Sequence, residues 1–168
     1  MRTLTTVISV VLLASLTACS DNDNDHAKDN DEGRTVTVTH PEVQPPTLLD
    51  LGDEGPSVGD ERLFHFDGTA DDGSVVSTDW VMTTTAVDTP DAGVQVRMVT
   101  GVFSFGNEGD QLILEGVALY PGEGATLVVS SSTIRSIIGG SGKYAGASGW
   151  VESIHHDDGT WEHIFHIE

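Results

Sequence analysis

The sequence predicts an all-β domain, an eight-stranded antiparallel β-barrel, placed after a targeting peptide and an acidic spacer. Three observations predict it. Turn-forming clusters recur from Thr35 to the end at close to the roughly 8 to 12 residue spacing of sandwiches and barrels. The segments between them are rich in Val, Ile, Thr and Phe, as half-buried pleated strands require. Gly is abundant at 19 residues and Pro sparse at 6, a balance suited to short strands and tight turns rather than a helical bundle.

Taken in chain order, the first element is an address. Arg2 gives a lone positive start, Val7 to Leu16 form an apolar run, and Leu16-Thr17-Ala18 lead into Cys19. The run is shorter than the roughly 20 residues a bilayer helix needs, so residues 1–18 read as a signal peptide. Leu-x-Ala-Cys resembles the lipobox of bacterial lipoproteins, which implies lipidation of Cys19 and a lipid-anchored protein of the bacterial cell envelope, facing outside the cytoplasm. Residues 19–34 are dominated by Asp and Asn and lack any branched aliphatic or aromatic residue, so a solvated tether is expected. The Asp-Asn alternation has no glycine and glutamate at the calcium-loop positions and is not read as a calcium site.

Residues 35–168 supply the barrel. The predicted strands are Thr35 to His40, Arg62 to Asp67, Val75 to Ala86, Val94 to Phe105, Gln111 to Tyr120, Ala125 to Ile138, Ala147 to His155 and Thr160 to Ile167. Turns of the Asp71-Asp72-Gly73 and Asp157-Asp158-Gly159 kind separate them, since Asp and Asn close their own turns and Gly admits positive φ. Closing eight strands removes both sheet edges and leaves an interior wide enough for packed side chains or one small ligand. In the last strand Trp161, His163, Phe165 and Ile167 share one face, and that face is expected to point inward. Strands Val94 to Phe105 and Gln111 to Tyr120 are partly apolar on both faces, which points to a cover on both sides, either a C-terminal or crossing segment or a neighbouring subunit; a homo-oligomer is expected on that ground.

Charge narrows the function classes. The chain carries 27 acidic and 7 basic residues, a formal net charge of -20. A field of that sign repels phosphate, so nucleic acid is excluded as a partner. The single cysteine rules out an internal disulfide and any multi-thiolate metal site. His155, His156, Asp157, Asp158, His163 and His166 match no metal-ligand spacing, so no metal is expected, and no cofactor either. No nucleophile elbow, phosphate loop or dinucleotide fingerprint is present.

Three stretches carry a family resemblance: Ser57-Val58-Gly59-Asp60 leading to Phe66-Asp67-Gly68, then Phe103 to Gly109 before Leu112 to Gly116, then Ile137-Ile138-Gly139-Gly140-Ser141-Gly142-Lys143-Tyr144 through Gly149. Over roughly Pro56 to Glu168 the chain resembles the allene oxide cyclase and dirigent barrel superfamily, whose most recognisable signature is the last, glycine-rich stretch. The resemblance implies a cavity for a small hydrophobic molecule and confinement-driven isomerisation or cyclisation, in which one near-attack conformation is held. Glu42 is the positional stand-in for the acidic first-strand motif of the plant cyclases. The family's pocket residues have no further match here.

The remaining candidates come from the residues themselves. His65, Arg97, Glu115 and His163 are polar groups embedded in apolar strands, where a charge must find a partner or shift its pKa. Arg97 and Glu115 either pair inside the cavity and hold a ligand oxygen or pair on the outer surface. His163 is a general acid or base, or else a core histidine bonded to the backbone. Trp80, Phe103 and Phe165 serve as pocket walls or core, and Tyr144 as a wall or a plug in the barrel end. Two function classes follow: a ligand-binding barrel with catalysis through Glu42 and His163, and a non-catalytic structural or interaction module.

Overall fold

The computed structural model describes residues 33–168 apart from positions 123 and 125. The signal peptide, Cys19 and the tether as far as residue 32 lie outside the described residues. The rest is β1 (Arg34–His40), β2 (Thr47–Leu49), β3 (Glu61–Ala70), β4 (Val75–Val87), β5 (Val94–Phe105), β6 (Gln111–Pro121), β7 (Ser131–Gly140), β8 (Gly149–His155) and β9 (Trp161–Ile167), with one short 3-10 turn at Gly142–Tyr144.

Every pairing is antiparallel, in the order β1-β9-β8-β7-β6-β5-β4-β3, and β1 also pairs with β3, which closes an eight-stranded barrel. The ninth strand, β2, adds outside that ring, pairing Thr47 to Leu49 with Leu63 to Glu61 at the start of β3. It escapes sequence patterning because three exposed residues are too few to show a period of two. The boundary that moves most is the start of β7. The ladder begins at Ser131, so residues 126–130 are loop and not strand, and Leu127 is buried at the barrel mouth.

Alternation sets the core. In β9 Trp161, His163 and Phe165 are buried, and in β5 the inward face is Gln95, Arg97, Val99, Gly101, Phe103 and Phe105. An eight-strand interior is filled by such side chains. Phe103 sits in the middle, 4.8 Å from the Phe165 ring, 5.1 Å from His163 and 5.5 Å from Trp80, in edge-on or T-shaped contacts that suit aromatic quadrupoles. The two barrel ends differ. One is plugged by Tyr144, whose ring lies 4.8 Å from Phe105. The glycine-rich stretch makes that plug possible: a Cβ on Gly140 would come within 2.6 Å of the carbonyl oxygens of Tyr144 and Gln111, a clash no side chain escapes. At the opposite end the interior turns polar.

Candidate functional site

The polar end is built from strand termini. His40 ends β1, Arg62 begins β3, Thr84 lies near the end of β4, Gln95 and Arg97 begin β5, Tyr120 ends β6, Arg135 lies on β7, Ser153 and His155 end β8, and Trp161 and His163 begin β9; all are buried. Because antiparallel strands alternate direction, these positions, far apart in sequence, meet at one mouth.

Between them lies a pocket lined mostly by apolar and aromatic groups, among them Phe64, Phe66, Trp80, Met82 and Trp161, with His40, Arg135, Ser153 and His163 among its polar members. Its atom-free space is about 370 Å³ including the opening, but the centre of a water-sized sphere reaches only about 30 Å³. By the usual need of roughly 10 to 15 Å³ per water, that is space for two or three. It is a slot. Gly101 helps to shape it, since a Cβ there would meet Trp80 at 3.0 Å and Leu114 at 3.1 Å; its absence leaves room for the indole beside β5.

The hydrogen bonds through the slot run in one direction. His40 Nδ1 is 2.7 Å from the Pro41 carbonyl oxygen, which only accepts, so Nδ1 carries the proton. Neutral His40 then offers a lone pair at Nε2, and His163 Nε2, 3.0 Å away, must donate. His163 Nδ1 is left to accept from the Ser153 hydroxyl at 2.8 Å. Ser153 Oγ in turn receives Arg135 Nη1 at 3.4 Å, and Arg135 Nη2 donates to the Tyr120 hydroxyl at 2.7 Å. The chain thus reads Arg135, Ser153, His163, His40, Pro41.

Both rings are neutral in this arrangement. Burial is the main cause, pushing His40 down to about 4 against a countervailing bond to Pro41, and pushing His163 well below its ordinary value with the nearby His40 and Arg135 acting the same way. A third histidine, His155, stacks on Trp161 at 4.2 Å and donates from Nδ1 to the Leu127 carbonyl at 2.8 Å. This bond ties the mouth loop to the barrel.

Beside the slot is a second polar layer. Arg97 donates from Nε and Nη2 to Gln95 Oε1 at 3.1 and 2.9 Å and from Nη2 to the Gly124 carbonyl at 2.7 Å, while its guanidinium covers the Tyr120 ring at 4.5 Å. Burial, and then the charge of Arg62, lower it to about 10. Arg62 bonds the Thr84 hydroxyl at 3.3 Å and feels the charge of Asp60.

The residues singled out from the sequence are distributed unevenly. His163 and Trp80 line the slot, and Phe103 and Phe165 form the floor beneath it. Arg97 is inside the barrel but outside the slot lining. Glu115 is on the outer face of β6, opposite Thr100, whereas Arg97 is opposite Ala118; the two point to opposite sides and form neither of the expected pairs. His65 is exposed, 2.7 Å from Asp79, which raises its pKa. Glu42 is exposed in the loop after β1, outside the slot lining. Tyr144 closes the far end. His40, Arg135, Ser153 and Tyr120 complete the site without having been singled out, although Arg135 shares an inward face with Ile137, the same signal that drew attention to Arg97.

No family model matches the chain, and no curated protein matches it. Among solved structures it is similar to pyocyanin demethylase, with a TM-score of 0.58 and 18% identity over 81% of this chain and 99% of that one. At that identity the likeness speaks to the fold alone.

Proposed function

We propose that this barrel binds a small, flat hydrophobic molecule in its mouth slot and isomerises it by moving a proton. The observation that carries the reading is the His40 and His163 pair, Nε2 to Nε2 at 3.0 Å, set in an aromatic slot. As bonded, the pair presents one N–H donor and one lone pair side by side. A molecule that enters between the rings meets both. His40 Nε2 takes a proton from one ligand atom, its Nδ1–H still held by Pro41, and returns it to another; His163 donates to the atom that gains electron density. Burial makes charged His40 unfavourable, so the proton is held only transiently and returns readily to the ligand. The tight walls hold the ligand in one conformation, which removes an entropic barrier of up to about 7 to 11 kcal/mol in the best cases.

Allene oxide cyclase-like isomerisation or cyclisation is the finer form of this reading and is supported by the glycine-rich signature. Likeness of fold to an enzyme named for demethylating pyocyanin supports catalysis within such a cylinder. The lipobox-like Leu16 to Cys19 supports a lipid-anchored place in the cell envelope. Outer-face residues Val81, Met98, Val117 and Leu119, all exposed and neighbours across β4 to β6, support a homo-oligomer.

Native mass spectrometry of the full chain from its producing cells tests the reading. A small molecule retained at one per subunit, and converted by wild type but not by His163→Ala, is the expected result. The tightness of the slot favours a second reading, a structural or interaction module, and a chain with no retained molecule and no uptake of flat aromatics would establish that one instead.

A further inference from the structure

Among the described residues, four buried side-chain polar atoms lack a hydrogen-bond partner: Thr78 Oγ1, Trp80 Nε1, Arg135 Nε and His155 Nε2. Two of these, Trp80 Nε1 and Arg135 Nε, are N–H donors on side chains that line the same slot. Trp80 is 5% exposed and Arg135 4%, so bulk water does not satisfy them. The guanidinium carbon of Arg135 lies 5.5 Å from the Trp80 ring centre, so the two side chains are neighbours in the slot wall.

The charge of Arg135 is also uncompensated. Its partners are the hydroxyls of Tyr120 and Ser153 and the face of the Trp80 ring, and it makes no ion pair with any described carboxylate. Arg62, by contrast, has Asp60 nearby. A buried cation whose partners are all neutral is destabilised until something negative joins it, and an unpaired buried N–H adds a penalty comparable to a lost hydrogen bond. Two such donors and one such charge, on side chains that line one cavity, describe a site that an anion would complete. The chain as a whole carries -20, so this anion-seeking interior runs against the composition and is local to the slot.

Resting on the binding reading above, we propose that Arg135 and Trp80 form an oxyanion subsite, so that the molecule the slot takes is an aromatic or conjugated compound bearing an ionised oxygen, a phenolate, enolate or carboxylate. The ring lies among Phe64, Phe66 and Trp161, and the oxygen accepts from Arg135 Nε and Trp80 Nε1. The subsite complements the histidine pair: an enol or phenol that loses its proton to His40 leaves its negative charge on an oxygen that Arg135 stabilises. The proton moves from ligand oxygen or carbon to His40 Nε2, the electron pair stays on the ligand, and no other reactant is required.

The test uses 4-nitrophenol, whose ionised form absorbs at longer wavelength than the neutral one, and nitrobenzene, a neutral analogue of nearly the same shape. With the full chain, binding is followed by quenching of tryptophan fluorescence and by the nitrophenolate band. Wild type is expected to bind 4-nitrophenol at least about tenfold more tightly than nitrobenzene and to show the phenolate band at a pH where the free compound is mostly neutral. Arg135→Met is expected to lose about tenfold or more for 4-nitrophenol while changing nitrobenzene by less than about threefold, with Arg135→Lys recovering part of the loss. Trp80→Phe, which keeps the ring and removes only the N–H, is expected to lose several-fold for the anion alone. The phenolate band in wild type requires no variant, so a misfolded Arg135→Met leaves the test intact. If both compounds bind equally and the bound phenol stays neutral, the subsite is overturned while the slot remains a binding site. If neither binds, both proposals fall.

Discussion

His40 and His163, 123 residues apart in sequence, meet Nε2 to Nε2 at 3.0 Å across the β1–β9 pair, and the Pro41 carbonyl decides which of them donates. The neutrality of both rings that follows has a measurable cost. His40 titrates at about 4 when folded and at 6.5 when unfolded. Between those values the unfolded chain binds a proton that the native one refuses, so stability is undiminished above pH 6.5 and falls as pH drops toward 4. The difference of about 2.5 units corresponds to roughly 3 kcal/mol at full extent, and His163 adds in the same direction. Urea midpoints at pH 7 and pH 5 should therefore diverge more in wild type than in His40→Gln; equal divergence would mean that the rings are not held neutral.

Turnover of the retained molecule separates two acidic or basic candidates. His163→Ala is expected to abolish conversion while keeping most of the binding. Glu42→Gln, altering an exposed carboxylate outside the slot, is expected to leave both unchanged. Loss of conversion in Glu42→Gln would move the reacting centre to the loop after β1.

Phe103 is fully buried with three aromatic neighbours. Phe103→Ala should cost about 3 to 5 kcal/mol, the range for emptying a large aromatic site in a packed core, read as the shift in urea midpoint. Phe103→Leu should cost markedly less.

Neighbouring glycines should behave oppositely. Nothing lies within 4 Å of a Cβ on Gly139, whereas one on Gly140 meets two backbone carbonyl oxygens. Gly139→Ala is expected to be neutral or stabilising by up to about 1 kcal/mol through the unfolded chain. Gly140→Ala is expected to lose more than that and to loosen the Tyr144 plug, seen as a larger loss of near-ultraviolet than far-ultraviolet dichroism.

Val117 and Leu119 are more than half exposed on the outer face of β6. If subunits associate through this face, Val117→Lys should shift sedimentation toward monomer without changing thermal unfolding of the subunit. A monomeric wild type would remove the oligomer.

The barrel was legible in the sequence because closure depends on turns, and turns are written in Asp, Asn and Gly at short range. The inside of the barrel was legible in β9, where an apolar face opposes a polar one, and illegible in β5, where the inward face begins with Gln95 and Arg97. A polar mouth inverts the rule that apolar means inward. Glu115 shows the same ambiguity from the other side: register alone, Thr100 opposite Glu115, separates it from Arg97, and register over a two-faced apolar strand has no local signature. His40 was hidden for a different reason. Its partner is on the last strand, and nothing in residues 34–40 encodes that meeting.

The ring is sewn shut along its last seam by only two register pairs, Val38 with Ala70 and Thr39 with Thr69, whereas β4 and β5 share eleven. Past those stitches, β1 runs on to His40 with β9 alone beside it, and the Phe66 ring, 4.3 Å from His40, fills the gap like a wedge. Parting the wall at this seam would therefore sacrifice the fewest ladder pairs and leave the long ladders untouched, which makes it the weakest course of the cylinder.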